Sequence, residues 1–405
     1  LVAGASVETA ASSSSTARSP SASLGMPLFT SHSFVMALRL PARAVSAPPL
    51  QPSEGASFAS ALPLQASTDA SFAAWLEAEL AQAPGAAVYG DVFADLVQGV
   101  VAWRRRYRGN QALWRRLLRP ERLIKEIIET APVIAAVSDY VRAQPPGGEP
   151  VTIVDLCCGK GYLSMLLAEM LPSDSLRGCV LVDKAWPRHD VQAVGDKHIN
   201  PEHLWEYREA WPVPLLTAKL DIKKRCSRRD MSKRWLGSAE GPVLLLGVHL
   251  CGTLSLQAIH LFNENPRVGL LVLKPCCLPG IEHIRRETTW TIGQHSFNAS
   301  EVAAAGRFVR GGQWRGPPRS HLAPRFGRWT HHLLEGIEVE AKAIEHVAIQ
   351  VDGGYQNDFI FAERPRNGSA AVTPALWDGL AERRQQPTQM PQLPSEPGPD
   401  RGVVA

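Results

Sequence analysis

The 405-residue sequence contains no cysteine before Cys157 or after Cys277, and it has no apolar run long enough to cross a membrane. A membrane helix needs about 20 consecutive apolar residues, so we expect no membrane partner. The seven cysteines are odd in number and include two adjacent pairs, which does not match the even framework of a secreted disulfide scaffold. These absences favour a globular protein in a reducing compartment.

Acidic residues are scarce in the first 66 residues, which contain three arginines and only two acids among many Ser, Ala and Pro. This composition is typical of an organelle transit peptide, and equally of a disordered leader. A transit peptide would place the protein in a plastid or mitochondrion; otherwise we expect the cytoplasm or nucleus. The Gln- and Pro-rich residues 366–405 are predicted to be a disordered tail.

The residues between these ends divide into two predicted domains. Residues 67–145 have helical apolar spacing, with one helix predicted near 72–80, one over 97–118 and one over 124–141. Pro120 and Pro132 are expected at helix boundaries. A Pro- and Gly-rich hinge leads into the second domain, residues 146–365, in which strand and helix patterns alternate.

A glycine-rich turn follows the first predicted strand. The β-branched run 151–155 is typical of a buried parallel strand, and Leu-Cys-Cys-Gly-Lys-Gly (156–161) separates it from an apolar helix pattern. Gly159 and Gly161 let the backbone approach a ligand because they have no Cβ. This order predicts a ligand at the carboxyl end of the strand.

Three ligands are candidates for such a turn. A dinucleotide fingerprint needs a third glycine where Ser164 stands, and a P-loop needs Ser or Thr after Gly-Lys, whereas Gly161 follows Lys160. S-adenosylmethionine (SAM) remains. Asp155 can accept a hydrogen bond from the ammonium group of its methionine moiety, while the same carboxylate would repel a pyrophosphate.

Two further acids follow the next two predicted strands. Asp183 ends the strand 179–183, a position from which a carboxylate binds the ribose hydroxyls of an adenosine ligand. Asp221 follows the strand 215–220 and can accept a hydrogen bond from the adenine amino group. Three acids at strand ends favour SAM binding over an α/β core without a cofactor.

The later strands complete the predicted fold. Runs 243–248 and 269–273 continue the alternation, and runs 344–351 and 355–361 flank the hairpin signal Asp-Gly-Gly at 352–354. Five β/α units and a terminal hairpin are the Rossmann-like, seven-stranded α/β arrangement of class I methyltransferases. We therefore predict this fold, preceded by a helical domain.

Three segments resemble the signatures of one class I SAM-dependent methyltransferase family. They are Asp-Leu-Cys-Cys-Gly-Lys-Gly-Tyr-Leu-Ser (155–164), His-Leu-Cys-Gly (249–252) and Lys-Pro-Cys-Cys (274–277). The family includes the eukaryotic tRNA acceptor-stem 2′-O-methyltransferase, whose Cys/His zinc modules have no counterpart in this sequence. The resemblance implies SAM as cofactor, with these candidate cofactor-binding residues: Asp155, Cys157, Gly159, Gly161, Tyr162, Asp183, Lys184, Asp221 and His249.

The methyl acceptor is expected beside the fourth and fifth strands. The Asp/Asn-Pro-Pro-aromatic segment of enzymes that methylate nucleic-acid amines is replaced here by His249-Leu-Cys-Gly. A ribose hydroxyl would need help in losing its proton, because its pKa lies far above 7. His249 and Lys274 are the candidate catalytic residues for this task; the alternative is that His249 caps the following helix and that Lys274 is solvated.

Five cysteines follow strands at the same predicted edge, and three interpretations remain open. They could pack a tight site as small apolar residues, or bind zinc or an iron–sulfur cluster, for which adjacent cysteines are poorly spaced. Alternatively, Cys276 could attack a pyrimidine covalently, which makes it a third candidate catalytic residue. No metal site is assigned from the sequence.

Three basic clusters make RNA the expected partner: residues 103–125, 223–234 and 307–328. Basic side chains near aromatic ones suit phosphates and stacked bases. On a continuous helix, five arginines of the first cluster would form one stripe beside Trp103, Tyr107 and Trp114; the alternative is that Gly109-Asn110 interrupts this helix. RNA methylation, with tRNA-like ribose 2′-O-methylation favoured, is therefore the predicted function; the alternatives are a protein or small-molecule methyltransferase and a non-catalytic RNA-binding protein.

Overall fold

The computed structural model describes residues 68–188, 198–308, 314–318, 321–347 and 356–365. The predicted leader, the predicted tail and the Asp-Gly-Gly turn lie outside these residues. The helices are α1 (Asp69–Ala81), α2 (Ala86–Arg106), α3 (Gln111–Leu117), α4 (Pro120–Arg142), α5 (Tyr162–Met170), α6 (Glu202–Trp205), α7 (Arg225–Met231), α8 (Leu254–Glu264), α9 (Ile281–Arg285), α10 (Ala299–Val302) and α11 (Leu322–Glu335), with a 3-10 turn at Arg208–Ala210 and a π-helical turn at Ser232–Leu236.

Eleven strands are distributed over one large sheet and two short two-stranded ribbons in the described residues. They are β1 (Val151–Leu156), β2 (Leu176–Val182), β3 (Leu215–Ala218), β4 (Val243–Cys251), β5 (Val268–Cys277), β6 (Thr289–Ile292), β7 (His295–Asn298), β8 (Arg307–Phe308), β9 (Trp314–Arg315), β10 (Lys342–His346) and β11 (Asp358–Glu363).

The large sheet has the order β10-β11-β5-β4-β1-β2-β3. The five strands from β1 to β5 are parallel, whereas β11 runs antiparallel to both β5 and β10. Strand order reverses beside β1, which is where open α/β sheets bind ligands at the carboxyl ends of their strands. The predicted Rossmann-like, seven-stranded fold with a terminal hairpin is confirmed.

Helices cover both faces of this sheet. Helices α1 to α5 pack on one face in a core that includes Ile153, Leu244 and Phe359, and α8 and α11 pack on the other with Val154 and Leu245. Successive strand residues point to opposite faces of the sheet. Because helices cover both faces, the strand side chains on both faces are apolar. The helical segment shares its core with the sheet, and its predicted boundary near residue 145 stays a prediction.

The predicted helix over 97–118 is divided in two at Gly109-Asn110, the point where the sequence allowed an interruption. Helix α2 ends at Arg106, Asn110 caps α3 by accepting a hydrogen bond from the Leu113 amide at 3.0 Å, and α4 begins at Pro120. The turn at Gly109-Asn110 therefore breaks the proposed arginine stripe. Pro120 starts a helix as predicted, because a first-turn proline loses no intrahelical hydrogen bond. Pro132 lies inside α4 rather than at a boundary.

Strands β4 and β5 are longer than predicted. They include His249 and Lys274, which were expected just beyond the strand ends. No helix in the described residues has the length and apolar character of a membrane span.

Candidate functional site

The turn between β1 and α5 has a backbone conformation that favours glycine. Gly159 has φ +57° and Gly161 has φ +84°, values that cost most side chains steric strain. A Cβ on Gly161 would also overlap Cδ2 of Leu181 on β2. Glycine at position 161 is therefore favoured for two reasons: its backbone angle and the packing of α5 against the sheet.

Asp155 is buried at the end of β1, where its carboxylate accepts a hydrogen bond from the Ser164 hydroxyl at 2.8 Å. Burial raises the pKa of Asp155 to about 7; the Ser164 hydrogen bond lowers it, and the negative charge of Asp183 raises it. Ser164 occupies the position where a dinucleotide fingerprint has glycine, and its side chain instead orients the acid. Sequence reasoning did not identify this partner.

Asp183 lies just after β2 and fixes the glycine turn. Its two carboxylate oxygens accept hydrogen bonds from the Gly159 amide at 3.2 Å and the Ala185 amide at 2.8 Å. Asp221 lies three residues beyond β3, half-buried, with the Lys223 amide donating to it at 3.1 Å. Lys184 is exposed.

The three predicted acids all lie near enough to the Cys157 thiol to act on it electrostatically. Burial raises the pKa of Cys157 to about 12, and the negative charges of Asp183, Asp155 and Asp221 contribute to the rise. Cys157 itself has φ +55°. The acids that follow three separate strands therefore lie on one edge of the sheet, as the sequence predicted. Their role as cofactor ligands stays a prediction.

A cavity of about 220 Å³ opens beside the glycine turn. Its walls come from the turn, from His249 and from α4, which had been assigned to a separate helical domain. Helix α4 contributes Arg122, Glu126 and Thr130, and the turn side contributes Asp155 and Lys160. The Arg122 guanidinium lies 3.5 Å from the Glu126 carboxylate. The cavity therefore presents a guanidinium and carboxylates side by side.

Helices α3 and α6 hold the glycine turn from outside. The Lys160 ammonium donates to the Arg116 carbonyl at 2.9 Å, and the Tyr162 hydroxyl donates to the Leu117 carbonyl, so both side chains bind the carboxyl end of α3. His203 of α6 donates from Nε2 to the Lys160 carbonyl at 2.8 Å. Burial lowers the pKa of His203 to about 4, so this ring is neutral at physiological pH. The ring of Tyr162 borders the cavity, but its hydroxyl is already bound to the Leu117 carbonyl of α3.

A bulge in β4 reorients His249. Val248 pairs with Lys274 and Leu250 pairs with Pro275, so His249 is the extra residue between them, with φ +67°. Bulges of this kind redirect a side chain out of the strand's alternation. The His249 Nε2 atom consequently lies 3.0 Å from a carboxylate oxygen of Glu129 on α4.

Glu129 also binds Lys274, so one buried carboxylate contacts both predicted catalytic side chains. The Lys274 ammonium, which is 0% exposed, donates to the other Glu129 oxygen at 3.0 Å. Burial by itself would raise the pKa of Glu129, but the hydrogen bond from His249 and the charge of Lys274 lower it overall. His249 does not cap α8, whose N-cap is Thr253, and Lys274 is not solvated. The signal for Glu129 was a lone acid inside the apolar stretch 127–134.

The thiols of Cys251, Cys276 and Cys277 form a cluster, which we call the thiol cluster. The Sγ atoms of Cys251 and Cys276 lie 3.1 Å apart, and all three lie within 4.8 Å of one another. Hydrogen bonds from Cys276 and Cys277 lower the pKa of Cys251, whereas donation to Cys251 raises the pKa of Cys276. The role of Cys276 as a nucleophile stays a prediction.

Most arginines of the first basic cluster form ion pairs with acids of the fold. Arg104, Arg105 and Arg108 pair with Asp69, and Arg116 pairs with Glu202. Its aromatic residues are buried rather than available for stacking on bases: Trp103, Tyr107 and Trp114. Arg115 and Arg119 are exposed and form no ion pair with an acid of the described residues.

The second basic cluster has a different character. Lys223, Lys224, Arg225, Arg229, Lys233 and Arg234 are all exposed, and no acid pairs with them among the described residues. The segment begins two residues after Asp221. In the third cluster, Phe326 and Trp329 are buried, while residues 309–313, 319 and 320, which include two of its arginines, lie outside the described residues.

No family model and no curated protein matches this chain. Among solved structures, it is similar to a cyclopropane-fatty-acyl-phospholipid synthase-like protein from Lactobacillus casei at 17% identity and a TM-score of 0.24, over 38% of this chain and 51% of that one. The DszA carbon methyltransferase matches at 13% identity and 0.34 over 71% and 68%, and the CurJ carbon methyltransferase at 12% and 0.33 over 67% and 68%. Likenesses this weak carry no argument about activity, so the functional conclusion depends on the chain's own geometry.

Proposed function

We propose that this protein is a SAM-dependent methyltransferase that acts on RNA, with a ribose hydroxyl as the favoured acceptor. The observation that carries the proposal is the cavity beside the glycine turn. The methionine end of SAM is a zwitterion, and the cavity offers Arg122 for its carboxylate and the carboxylates of Glu126 and Asp155 for its ammonium group. The carboxylate of Glu126 would repel a phosphate ligand.

The other end of the cofactor fits the neighbouring acids. Asp183 is half-buried after β2, and each of its oxygens has capacity for a second hydrogen bond, so it suits the ribose hydroxyls. Asp221 lies after β3, one strand further along the sheet, where the adenine amino group is expected. SAM would supply an electrophilic methyl group attached to a sulfonium ion.

The acceptor side would be formed by His249. In the neutral ring, donation from Nε2 to Glu129 leaves the acceptor lone pair on Nδ1, and this atom can take a proton from an acceptor hydroxyl. Glu129 orients the ring and stabilises its protonated form, as an acid does in the Ser-His-Asp arrangement. Lys274 is bound to Glu129 inside the protein, so its role would be to hold that carboxylate ionised rather than to touch the acceptor.

RNA as substrate is supported by the exposed lysines and arginines of the cluster 223–234, which begins two residues after Asp221 and in which no basic side chain pairs with an acid of the described residues. Phosphates bind clustered Lys and Arg side chains without needing sequence contacts. A protein or small-molecule acceptor is the second candidate. It is favoured by the burial of the aromatic residues in the first basic cluster, which removes the stacking surface expected for bases.

The cofactor proposal predicts that SAM binding depends on Arg122. Arg122→Gln should weaken SAM binding by about 10-fold or more, because a charged hydrogen bond contributes roughly 1.5–3 kcal/mol. Arg115→Gln is the matched control, since Arg115 is exposed on α3 and does not line the cavity. Isothermal titration calorimetry gives both affinities. If both variants bound SAM with equal affinity, the cavity would not be the SAM-binding site.

Two further variants test the turn itself. Gly161→Arg should abolish SAM binding, whereas Gly109→Arg should not, because a side chain at Gly109 meets no atom within 4 Å. Transfer of radiolabelled methyl groups from SAM to total RNA and total protein then identifies the acceptor class. Label in protein alone would support the second candidate, and SAM binding without any transfer would support the non-catalytic alternative.

A further inference from the structure

The thiol cluster lies where two neighbouring strands end. Cys251 is the last residue of β4 and pairs in register with Cys277, the last residue of β5, and Cys276 precedes it. The irregular register between Leu250 and Cys251 brings the Cys251 side chain towards the thiol of Cys276, because a bulge turns side chains out of the regular alternation. Three thiols thus converge, although Cys276 and Cys277 are adjacent and neighbouring residues of a regular strand point to opposite faces.

Packing does not account for this convergence. Cys251 and Cys277 are exposed, whereas a cysteine that fills a core is normally buried. All seven cysteines are free, so no disulfide accounts for it either. Three thiols within 4.8 Å of one another at the ends of β4 and β5 therefore need another explanation.

We propose that Cys251, Cys276 and Cys277 bind one Zn²⁺ ion. Zinc binds cysteine sulfur at about 2.3 Å, so tetrahedral ligands stand about 3.8 Å apart. The Sγ atoms of Cys251 and Cys276 lie 3.1 Å apart, those of Cys276 and Cys277 lie 3.7 Å apart, and all three are within 4.8 Å. Sulfur ligands so close together suit a single ion, and small rotations of the side chains bring them into place.

Local charge fits such a centre. Zinc with three thiolates has a net charge of minus one, and the positive charges of Lys223 and Lys274 act on this cluster. Lys274 is compensated by Glu129, but Lys223 is exposed and has no acidic partner among the described residues. Cationic neighbours lower the free energy of the anionic complex.

The fourth coordination position would be open. Among the described residues, no further His, Cys, Asp or Glu joins the three thiols. Zinc sites with three protein ligands and one exchangeable position are typical of catalytic rather than structural zinc. The cluster is two residues from His249 in β4, so the open position lies at the same edge of the sheet as the proposed acceptor site. The metal site is independent of whether the acceptor is RNA.

Cobalt(II) is the probe that tests this proposal. The full chain, with all thiols reduced, is titrated with Co²⁺ and then with Zn²⁺. We expect a sulfur-to-cobalt charge-transfer band at one Co²⁺ per chain, which Zn²⁺ removes. X-ray absorption of the zinc form should show three sulfur neighbours at about 2.3 Å and one lighter atom. A fully reduced wild-type protein without the charge-transfer band would overturn the proposal, whatever the variants do.

Single serine substitutions locate the ion. Removing a group that supports a metal ligand already costs about 10–100-fold in affinity, so Cys251→Ser or Cys276→Ser should weaken Zn²⁺ binding at least as much. Cys226→Ser is the matched control, since Cys226 is also exposed but lies on α7 outside the cluster. Circular dichroism of the variants verifies folding. If Cys226→Ser weakened binding as much as Cys276→Ser, the assignment to the thiol cluster would be wrong.

Discussion

Asp155 shows how burial sets the chemistry of a single residue. Its carboxyl has almost no solvent contact, and the Ser164 hydroxyl donates a hydrogen bond to it. An ionised carboxylate in such a place is costly unless it is paired with a cation. Binding of an ammonium group would supply that pairing, which gives a buried acid a reason to stand beside the glycine turn.

The raised pKa of Asp155 predicts the pH dependence of stability. The folded protein holds this proton up to about pH 7, whereas the unfolded chain releases it near 3.8. In that window the folded state binds more protons, so the free energy of unfolding should fall as pH rises from about 4 to about 7. Urea unfolding of wild type and of Asp155→Asn over this range measures it. The variant should lack this part of the decline.

Ser164→Ala is the control for the direction of this pH dependence. The Ser164 hydroxyl stabilises the ionised form of Asp155, so its removal should raise the pKa of Asp155 further and extend the decline above pH 7. If Ser164→Ala shifted the decline to lower pH, the hydrogen bond would not favour the ionised carboxylate.

At the scale of elements, α4 is the helix that joins the two predicted domains. The same helix places Arg122 and Glu126 at the cavity and Glu129 between His249 and Lys274. These residues of α4 follow one another at spacings of four and three, so they lie on one face of the helix. The segment predicted as a basic helical domain thus contributes directly to the candidate site.

Glu129→Gln should be strongly destabilising. It leaves Lys274 buried without a counter-charge, and breaking a buried ion pair from one side costs about 3–5 kcal/mol of unfolding free energy. The double variant Glu129→Gln/Lys274→Met should recover much of that stability, because no uncompensated charge then remains. Denaturant unfolding of the two single variants and the double variant gives the coupling energy. Additive effects would mean that the two side chains do not depend on each other.

Across the whole molecule, the basic clusters differ in how far acids of the fold neutralise them. The arginines of the first basic cluster mostly pair with acids of the fold, while the cluster 223–234 extends into solvent beside Asp221. The modest net charge of +4 conceals this difference. An RNA substrate would therefore be expected to contact the region of α7 rather than α2.

Charge removal at α7 tests this expectation. Lys223→Gln/Lys224→Gln should weaken RNA binding and reduce the slope of log affinity against log salt by about one for each phosphate that is no longer bound. Arg105→Gln/Arg108→Gln removes equal charge from exposed arginines that are paired with Asp69. Fluorescence anisotropy with a tRNA transcript at several salt concentrations compares the pairs. Equal slopes in both double variants would contradict a role for α7.

Local sequence patterns were enough to predict the sheet, the glycine turn and the acids that follow the strands. These features depend on local rules: buried parallel strands are continuously apolar, positive φ angles favour glycine, and parallel strands end on one edge. The misplaced boundary at Pro132 also has a local origin: proline lowers helix propensity, and the tertiary packing of α4 outweighs that preference.

Contacts between side chains that are distant in the sequence could not be predicted in this way. Glu129 lies 120 residues before His249 and 145 before Lys274, and no periodicity in the sequence connects positions so far apart. The bulge that turns His249 towards α4, and the irregular register that brings Cys251 to Cys276, arise from the pairing of β4 with β5. Interactions of this kind depend on how strands and helices pack together, and that packing is a property of the whole chain.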